Sequence, residues 1–319
     1  MSTQDYLQQF REMQKQNPGP IDYSLQFGQA KSGVQVLVTS IIHGDEVGSL
    51  PSILEVAKKF IDQKMSFDGQ VIFALGNVEA ARINRRFVLE DLNRLFVENL
   101  ANTNEERNRA QQLLGLIRSS HLFLDLHQTI EPTTQPFYVV RMAKPSQELA
   151  CCLDVAKMLI LTEANAGVAK GFQTASSYAF HKKVPTVTVE LSQKGYCKEA
   201  YLLGSKAIER LLSLAKDWSE KASWQNISAE AKRRTLETLQ LSASEAFQDE
   251  WSYLKPGFAN LTSVKKNEVI GYHPTSGQEV ISPKDGWVIF PKYPDRMPDG
   301  RLTHVPLSHM YTLATKVEN

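Results

Sequence analysis

Along the first two thirds of the chain, continuous hydrophobic runs alternate with segments in which hydrophobic and polar positions recur with a helical period. Continuous apolar runs, typical of buried parallel strands, lie at 34–42, 70–75, 122–126, 136–141 and 184–191. Segments with helical periodicity lie at 46–63, 105–119, 146–159 and 198–219. This order predicts an α/β fold: a mixed, largely parallel sheet flanked by helices.

The pattern changes after about residue 220. Short alternating runs, separated by glycine and proline, lie at 235–242, 262–264, 268–272, 279–282 and 286–290. Such runs are typical of a mainly-β domain. We therefore expect two domains, 1–222 and 223–319.

Composition, net charge and cysteine content limit the classes of function that the chain can have. Hydrophobic residues make up 42% of the 319 residues and charged residues 22%, which is ordinary for a globular enzyme. The formal net charge of +1 favours neither nucleic acid nor membrane partners, and no apolar run approaches the roughly 20 residues of a membrane span. The N-terminus lacks the apolar centre of a secretory signal. We interpret Cys151, Cys152 and Cys197 as reduced thiols of a cytoplasmic protein.

Two histidines and an acid follow buried strands. His43 and Glu46 come at the end of the first strand, and His127 comes at the end of the third. The carboxyl ends of such strands form the ligand crevice of α/β proteins, and two His with one Glu is a ligand set of catalytic zinc. We expect Gly44 to permit a sharp turn and close approach to a ligand, and Glu46 to lie in the first turn of a helix. Asp125 shares a strand face with His127 and could orient its ring.

A cluster of arginines follows the strand at 70–75. Arg85, Arg86 and Arg94 share a short stretch with Asp91 and Asn93. A solvated loop with internally paired charges is the alternative. Guanidinium groups bind carboxylates in a bidentate manner, so the cluster favours a substrate that carries carboxylates.

A single acid interrupts the apolar strand at 184–191. Glu190 lies near the carboxyl end of this strand, at the same end of the sheet where the histidines are expected. A surface glutamate on an edge strand is the alternative. In a metal site, a carboxylate here could take a proton from water and pass it to a leaving nitrogen.

Together these motifs resemble the succinylglutamate desuccinylase and aspartoacylase family, a branch of the zinc carboxypeptidase-like fold. The similarity covers about 34–200 and rests on four motifs in the family's order: His43-Gly-Asp-Glu46, Arg86 through Asp91-Leu-Asn93-Arg94, Asp125-Leu-His127, and Val189-Glu190-Leu191. The segment 174–181 resembles the desuccinylase branch. Asp45 departs from the family, whose members often carry Asn there.

The resemblance implies roles for particular residues. One Zn²⁺ would be bound by His43, Glu46 and His127. Glu190 would act as general base and acid, and Arg86 would help to stabilise the oxyanion. Arg86, Asn93 and Arg94 would contact substrate, with Tyr293 of the C-terminal domain as a further candidate and Arg141 as the candidate for an additional substrate arginine.

The implied activity is zinc-dependent removal of a succinyl or similar acyl group from an N-acyl amino acid with carboxylates. The C-terminal domain would cap the cleft or support a homo-oligomer. A metallocarboxypeptidase acting on short peptides is one alternative, because it uses the same metal chemistry. A non-catalytic binding homologue is another, with Asp45 as the mark of a weakened site.

Overall fold

A computed structural model describes residues 1–28, 33–163, 173–216, 220–305 and 309–317. The chain divides into two compact units. The first comprises Met1–Gln128 and Pro136–Leu236, and the second comprises Thr129–Gln135 and Glu237–Asn319. The helix at Glu220–Ala231 lies in the first unit and crosses the 222/223 boundary expected from the change in sequence pattern.

The first unit alternates helices and strands. Its strands are β1 (Ser24–Gly28), β2 (Gln35–Ser40), β3 (Gln70–Leu75), β4 (Leu122–Thr129), β5 (Phe137–Arg141), β6 (Met158–Thr162) and β7 (Thr186–Gln193). Its helices are α1 (Thr3–Gln16), α2 (Leu50–Ile61), α3 (Val78–Arg82), α4 (Glu105–Ser119), α5 (Lys144–Leu153), α6 (Ala175–His181), α7 (Lys198–Leu214) and α8 (Glu220–Ala231). Single 3₁₀ turns lie at Val47–Ser49 and Leu92–Arg94.

These strands form a mixed sheet in the order β1-β3-β2-β4-β7-β5-β6. The pairs β2–β3, β2–β4 and β5–β6 are parallel, whereas β1–β3 and β5–β7 are antiparallel. The α/β prediction is therefore confirmed.

Burial explains why the strands were recognisable. Every residue of β4 is buried, and β2 and β3 are buried except at their first residue. One core cluster joins β2 and β3 to α4 and α6, with Leu37, Phe123 and Tyr178 among its members. A strand covered on both faces has no polar alternation, so it appears in the sequence as a continuous apolar run.

The chain leaves β2 differently from the prediction. The strand ends at Ser40, because Ile41 adopts a left-handed conformation with φ of 51°. The helix expected from residue 46 begins instead at Leu50, with Pro51 in its first turn, where the missing N–H of proline costs no hydrogen bond. Glu46 therefore precedes the 3₁₀ turn and does not lie in a helix.

The helix predicted at 146–159 was too long. Asp154 adopts a left-handed conformation with φ of 58° and ends α5, and the following apolar residues form β6. A short apolar run fits a helix and a buried strand equally well, so periodicity alone could not separate them. Helix α1 was missed because it buries only Leu7 and Phe10.

The second unit is antiparallel. Its strands are β8 (Glu237–Ala246), β9 (Tyr253–Leu254), β10 (Thr262–Val264), β11 (Val269–His273), β12 (Gln278–Ile281), β13 (Gly286–Ile289) and β14 (His309–Lys316). They run in the orders β8-β14-β13-β10 and β12-β11-β9 around their own apolar cluster. The smaller mainly-β part is confirmed, although β9 and β14 were not predicted. Within the described ranges of the chain, no helix is both long and apolar enough to cross a membrane.

Candidate active site

Two imidazoles and a carboxylate converge where β2 and β4 end. One ligand atom from each of His43, Glu46 and His127 lies within 4.8 Å of the others, and all three residues are buried. His43 Nδ1 lies 2.5 Å from Glu46 Oε1, and His127 Nδ1 lies 2.8 Å from Glu46 Oε2. The three residues predicted to share a metal are therefore brought together by the fold.

The turn that carries His43 depends on two backbone features. The left-handed Ile41 changes the direction of the chain directly after β2. Gly44 donates its N–H to Arg86 O at 3.0 Å, and a Cβ there would lie 2.4 Å from the backbone of Ala80 and Ala81 in α3. The sharp turn expected at Gly44 is thus made at Ile41, while glycine is needed for close packing against α3.

Asp125 orients His127, as the spacing predicted. Both side chains project from the same face of β4, and His127 Nε2 lies 2.9 Å from Asp125 Oδ2. Thr39 Oγ1 on the neighbouring β2 donates to the other carboxylate oxygen at 2.5 Å. Burial would lower the pKa of His127, but Asp125 and Glu46 outweigh it and hold that pKa well above its usual value. In the protonated ring, Nε2 donates to Asp125 and Nδ1 donates to Glu46, so a metal ion bound at Nδ1 would take the place of the Nδ1 proton.

These donors fit a divalent cation such as zinc. Two imidazole nitrogens and a carboxylate oxygen are typical of a three-ligand site that keeps one position open. The carboxylate of Glu46 is already ionised, because His43 and His127 overcome the effect of burial and hold its pKa well below the usual range. A cation between these groups would replace the attractions that now hold the imidazoles to Glu46.

Glu190 lies on β7 opposite Phe137 and is also buried, with 7% of its surface exposed. Its Oε2 atom is fully buried and has no hydrogen-bond partner among the described residues. Burial raises the pKa of Glu190 to about 7, with Glu46 adding to the shift and the imidazoles and Arg86 opposing it. Strand β7 is the neighbour of β4 in the sheet, and the charges of His127, His43 and Glu46 all act on the pKa of Glu190.

Arg86 contacts the ligand set directly. Its Nη1 atom donates to Glu46 Oε1 at 3.2 Å, and its Nη2 atom lies 2.7 Å from His43 Nε2. Its Nε atom donates to Asp91 Oδ2 at 3.4 Å. Against the effect of burial, His43 and Arg86 hold the pKa of Asp91 well below its usual range. The arginine predicted to act near the reacting carbonyl therefore lies at the ligand set.

Asn93 and Arg94 lie on the adjacent 3₁₀ turn. Asn93 Oδ1 accepts the N–H of Ala175 at 3.0 Å, which ties the turn to the first residue of α6. Arg94 Nη1 donates to the backbone oxygen of Asn93 at 2.8 Å. Among the described residues, Arg94 forms no ion pair.

Arg141, at the end of β5, is buried with 5% of its surface exposed. It donates to Glu163 O at 2.6 Å and to Thr174 Oγ1 at 3.2 Å, while its buried Nε atom has no partner in the part of the chain that the structure describes. Burial and the neighbouring charge of Arg94 lower the pKa of Arg141 to about 10. Within the described part of the chain, no carboxylate forms an ion pair with it.

Two other predicted residues have partners of their own. Tyr293 belongs to the second unit, where its hydroxyl donates to Lys255 O at 2.8 Å and accepts from Phe258 N at 2.9 Å. Its role in substrate binding stays a prediction. Asp45 is buried, and its Oδ2 atom accepts from Lys194 Nζ at 2.7 Å. Lys194 could not be identified from the sequence, because only the fold brings the end of β7 to this turn.

A buried His-Glu-His set beside an acid, at the ends of strands in a mixed sheet, defines a class: α/β proteins with a candidate divalent-metal centre. Comparison with known proteins gives the family. Residues 32–215 match the model of the succinylglutamate desuccinylase/aspartoacylase catalytic domain, and the chain belongs to this family.

Individual relatives agree with this assignment. A succinylglutamate desuccinylase of Pseudomonas paraeruginosa is 26% identical over 208 residues, covering 61% of this chain and 61% of that protein. The matched stretch thus spans about three fifths of the length of that relative. One from Serratia proteamaculans is 24% identical over 271 residues, covering 80% of this chain and 79% of its own.

A solved succinylglutamate desuccinylase structure from Vibrio parahaemolyticus has a similar fold. Its TM-score is 0.70 at 17% identity, and the match covers 92% of this chain and 86% of the other. At that identity the likeness supports the fold and not the substrate.

Proposed function

We propose that this chain is a zinc-dependent amidohydrolase that removes a succinyl or similar acyl group from an N-acyl amino acid. The observation that carries the proposal is the pairing of two unlike acids in one buried site. Glu46 is ionised and held by two imidazoles, whereas Glu190 has a pKa of about 7 and a buried oxygen with no hydrogen-bond partner in the described ranges. Amide hydrolysis at a metal centre needs one acid as ligand and one that can accept and return a proton.

The metal would be held by His43 Nδ1, Glu46 and His127 Nδ1. When bound, zinc would supply a Lewis acid that polarises a carbonyl and makes water more acidic. Asp125 would keep His127 in the tautomer that presents Nδ1, because it accepts the Nε2 proton.

Proton transfer would fall to Glu190. Its pKa near 7 lets the carboxylate accept a proton from the attacking water and return it to the nitrogen of the leaving amino acid. Arg86 would orient the substrate carbonyl oxygen and stabilise negative charge there, since its guanidinium already contacts His43 and Glu46.

The substrate would carry carboxylates. Arg94 is close enough to lower the pKa of Arg141, and neither residue forms an ion pair within the described ranges. A buried guanidinium without a counter-charge is costly unless an anion joins it. An anionic end of the substrate would supply that partner.

The test is a panel of N-acyl amino acids assayed with the zinc-loaded protein and with chelator-treated protein. The panel crosses succinyl with butyryl groups and glutamate with glutamine, so each pair differs by one carboxylate. We expect amine release that needs the metal and prefers substrates with more carboxylates. Preferential cleavage of short peptides would favour the metallocarboxypeptidase alternative. Absence of both tightly bound metal and metal-stimulated hydrolysis would favour a binding homologue.

A further inference from the structure

Gln128 follows His127 on β4 and is buried, with 2% of its surface exposed. Its backbone N–H donates to Glu46 Oε2 at 3.1 Å, and its side-chain Oε1 accepts the N–H of Gly48 at 2.7 Å. The side chain therefore holds the 3₁₀ turn that directly follows Glu46. One residue thus supports both the ligand carboxylate and the turn behind it.

The other end of the same amide contacts the chain that follows Glu190. Gln128 Nε2 lies 2.7 Å from Gln193 O, 2.9 Å from Gly195 O and 2.9 Å from Ser192 Oγ. Gly195 has a φ of 107°, a left-handed conformation that favours glycine, so the chain turns sharply there. Gln128 thus connects the turn after Glu46 with the segment after Glu190.

The packing around this amide requires its shape as well as its polarity. A Cβ at position 48 would lie 2.5 Å from Gln128 Nε2, so the glycine permits the amide to approach the turn. The oxygen end faces an N–H donor and the nitrogen end faces carbonyl acceptors. Only a neutral primary amide of this length offers both functions.

Resting on the deacylase function proposed above, we propose that Gln128 is a positioning residue that holds the end of β7 against the Glu46 turn. In this way the proton-carrying Glu190 stays aligned with the ligand set. Gln128 itself does not touch the reacting atoms, because both ends of its amide form hydrogen bonds with protein groups. Its effect is therefore expected on turnover, while affinity for metal and substrate changes little.

Gln128→Glu separates the two halves of this connection. The introduced carboxylate can still accept from Gly48 N–H, but when ionised it cannot donate to Gln193 O or Gly195 O. At pH 8.5 we expect metal content and KM close to those of the wild type. We expect kcat to fall by about 10–100-fold, the range typical of replacing residues that hold metal ligands in place without binding the metal themselves.

The matched control is Gln111→Glu. Gln111 donates its side-chain N–H to Val97 O at 2.9 Å, away from the ligand set. Its replacement removes a similar amide-to-carbonyl hydrogen bond, and kcat should stay unchanged. Gln128→Met has a similar length without hydrogen bonds and should loosen both sides of the connection.

Hydrogen exchange supplies a readout that does not depend on catalysis. In Gln128→Glu, amide exchange should increase at 192–197 and stay unchanged at 47–49; in Gln128→Met it should increase in both segments. The inference is overturned if kcat and exchange stay at wild-type levels, or if kcat falls only in proportion to lost metal. If the wild type hydrolyses no N-acyl amino acid, the deacylase function fails. The exchange pattern then decides by itself whether Gln128 connects the two segments.

Discussion

The turn after β2 and the end of β7 each bring a buried glutamate to the same site, but the two glutamates differ. Glu46 accepts hydrogen bonds from the backbone of Gln128 and from Arg86, and it faces both imidazoles. Glu190 has one buried oxygen to which no described residue donates a hydrogen bond. The pKa of Glu46 is far below its usual range, whereas burial raises that of Glu190 to about 7.

The difference follows from where each residue lies. Glu46 lies on an irregular turn that donor groups can approach from several sides. Glu190 lies within a strand between the buried Val189 and Leu191, opposite the buried Phe137. Acids whose environments push their pKa values apart suit different tasks. The comparison supports the proposed roles, which are metal ligand for Glu46 and proton transfer for Glu190.

The largest expected effect comes from removing a ligand on the Glu46 side. His127→Ala should lose tightly bound metal, because two ligands remain. Turnover should fall to background. This loss is larger than the decrease of about 10²–10³-fold in kcat that is typical of removing one electrostatic donor. Metal analysis and amine release measure both, with the exposed His304 replaced by Ala as the control. Full zinc occupancy in His127→Ala would exclude this residue as a ligand.

Replacing Glu190, the proposed proton carrier, should reduce turnover without loss of the metal. Glu190→Gln should keep its metal and lose about 10²–10⁴-fold in kcat, the usual range for general acid–base catalysis. Glu199→Gln, at an exposed position in the first turn of α7, is the control. Comparable activity in Glu190→Gln, with metal content confirmed, would remove Glu190 from the mechanism.

Glu190→Gln also tests the raised pKa of Glu190 through its effect on protein stability. The pKa of Glu190 rises on folding from 4.5 to about 7, so its contribution to stability is fully present below pH 4.5 and is lost as pH rises through 7. In chelator-treated protein at pH 8, Glu190→Gln should therefore be more stable than the wild type by on the order of 3 kcal/mol. Urea unfolding at pH 8 and pH 4.5 measures this. An equal difference at both pH values would contradict the raised pKa.

A smaller effect is expected from the residue that orients His127. Asp125→Asn removes the carboxylate that accepts from the imidazole, and metal affinity should fall by about 10–100-fold. Competition with a coloured chelator measures the affinity. Unchanged affinity would mean that Thr39 and the surrounding packing suffice to hold the ring.

Much of the fold and of the ligand set was predictable, for reasons visible in particular elements. Strands β2, β3 and β4 are buried almost throughout, so their apolar runs were unambiguous. His43, Glu46 and His127 follow two adjacent parallel strands, whose carboxyl ends necessarily meet. Helix α1 was missed because it buries only two apolar residues, and β6 was missed because its short apolar run also fits a helix.

The sequence alone determined the kinds of donors, the strands that carry them and the family to which they belong, because these depend on local periodicity and short motifs. Only the tertiary structure decided that the chain turns at Ile41 and that Gln128 contacts both the turn after Glu46 and the segment after Glu190. It also decided that one buried oxygen of Glu190 has no hydrogen-bond partner within the described residues. These features depend on contacts between segments far apart in the chain. Burial and hydrogen bonding at such contacts set the pKa of each acid, and no local pattern records them.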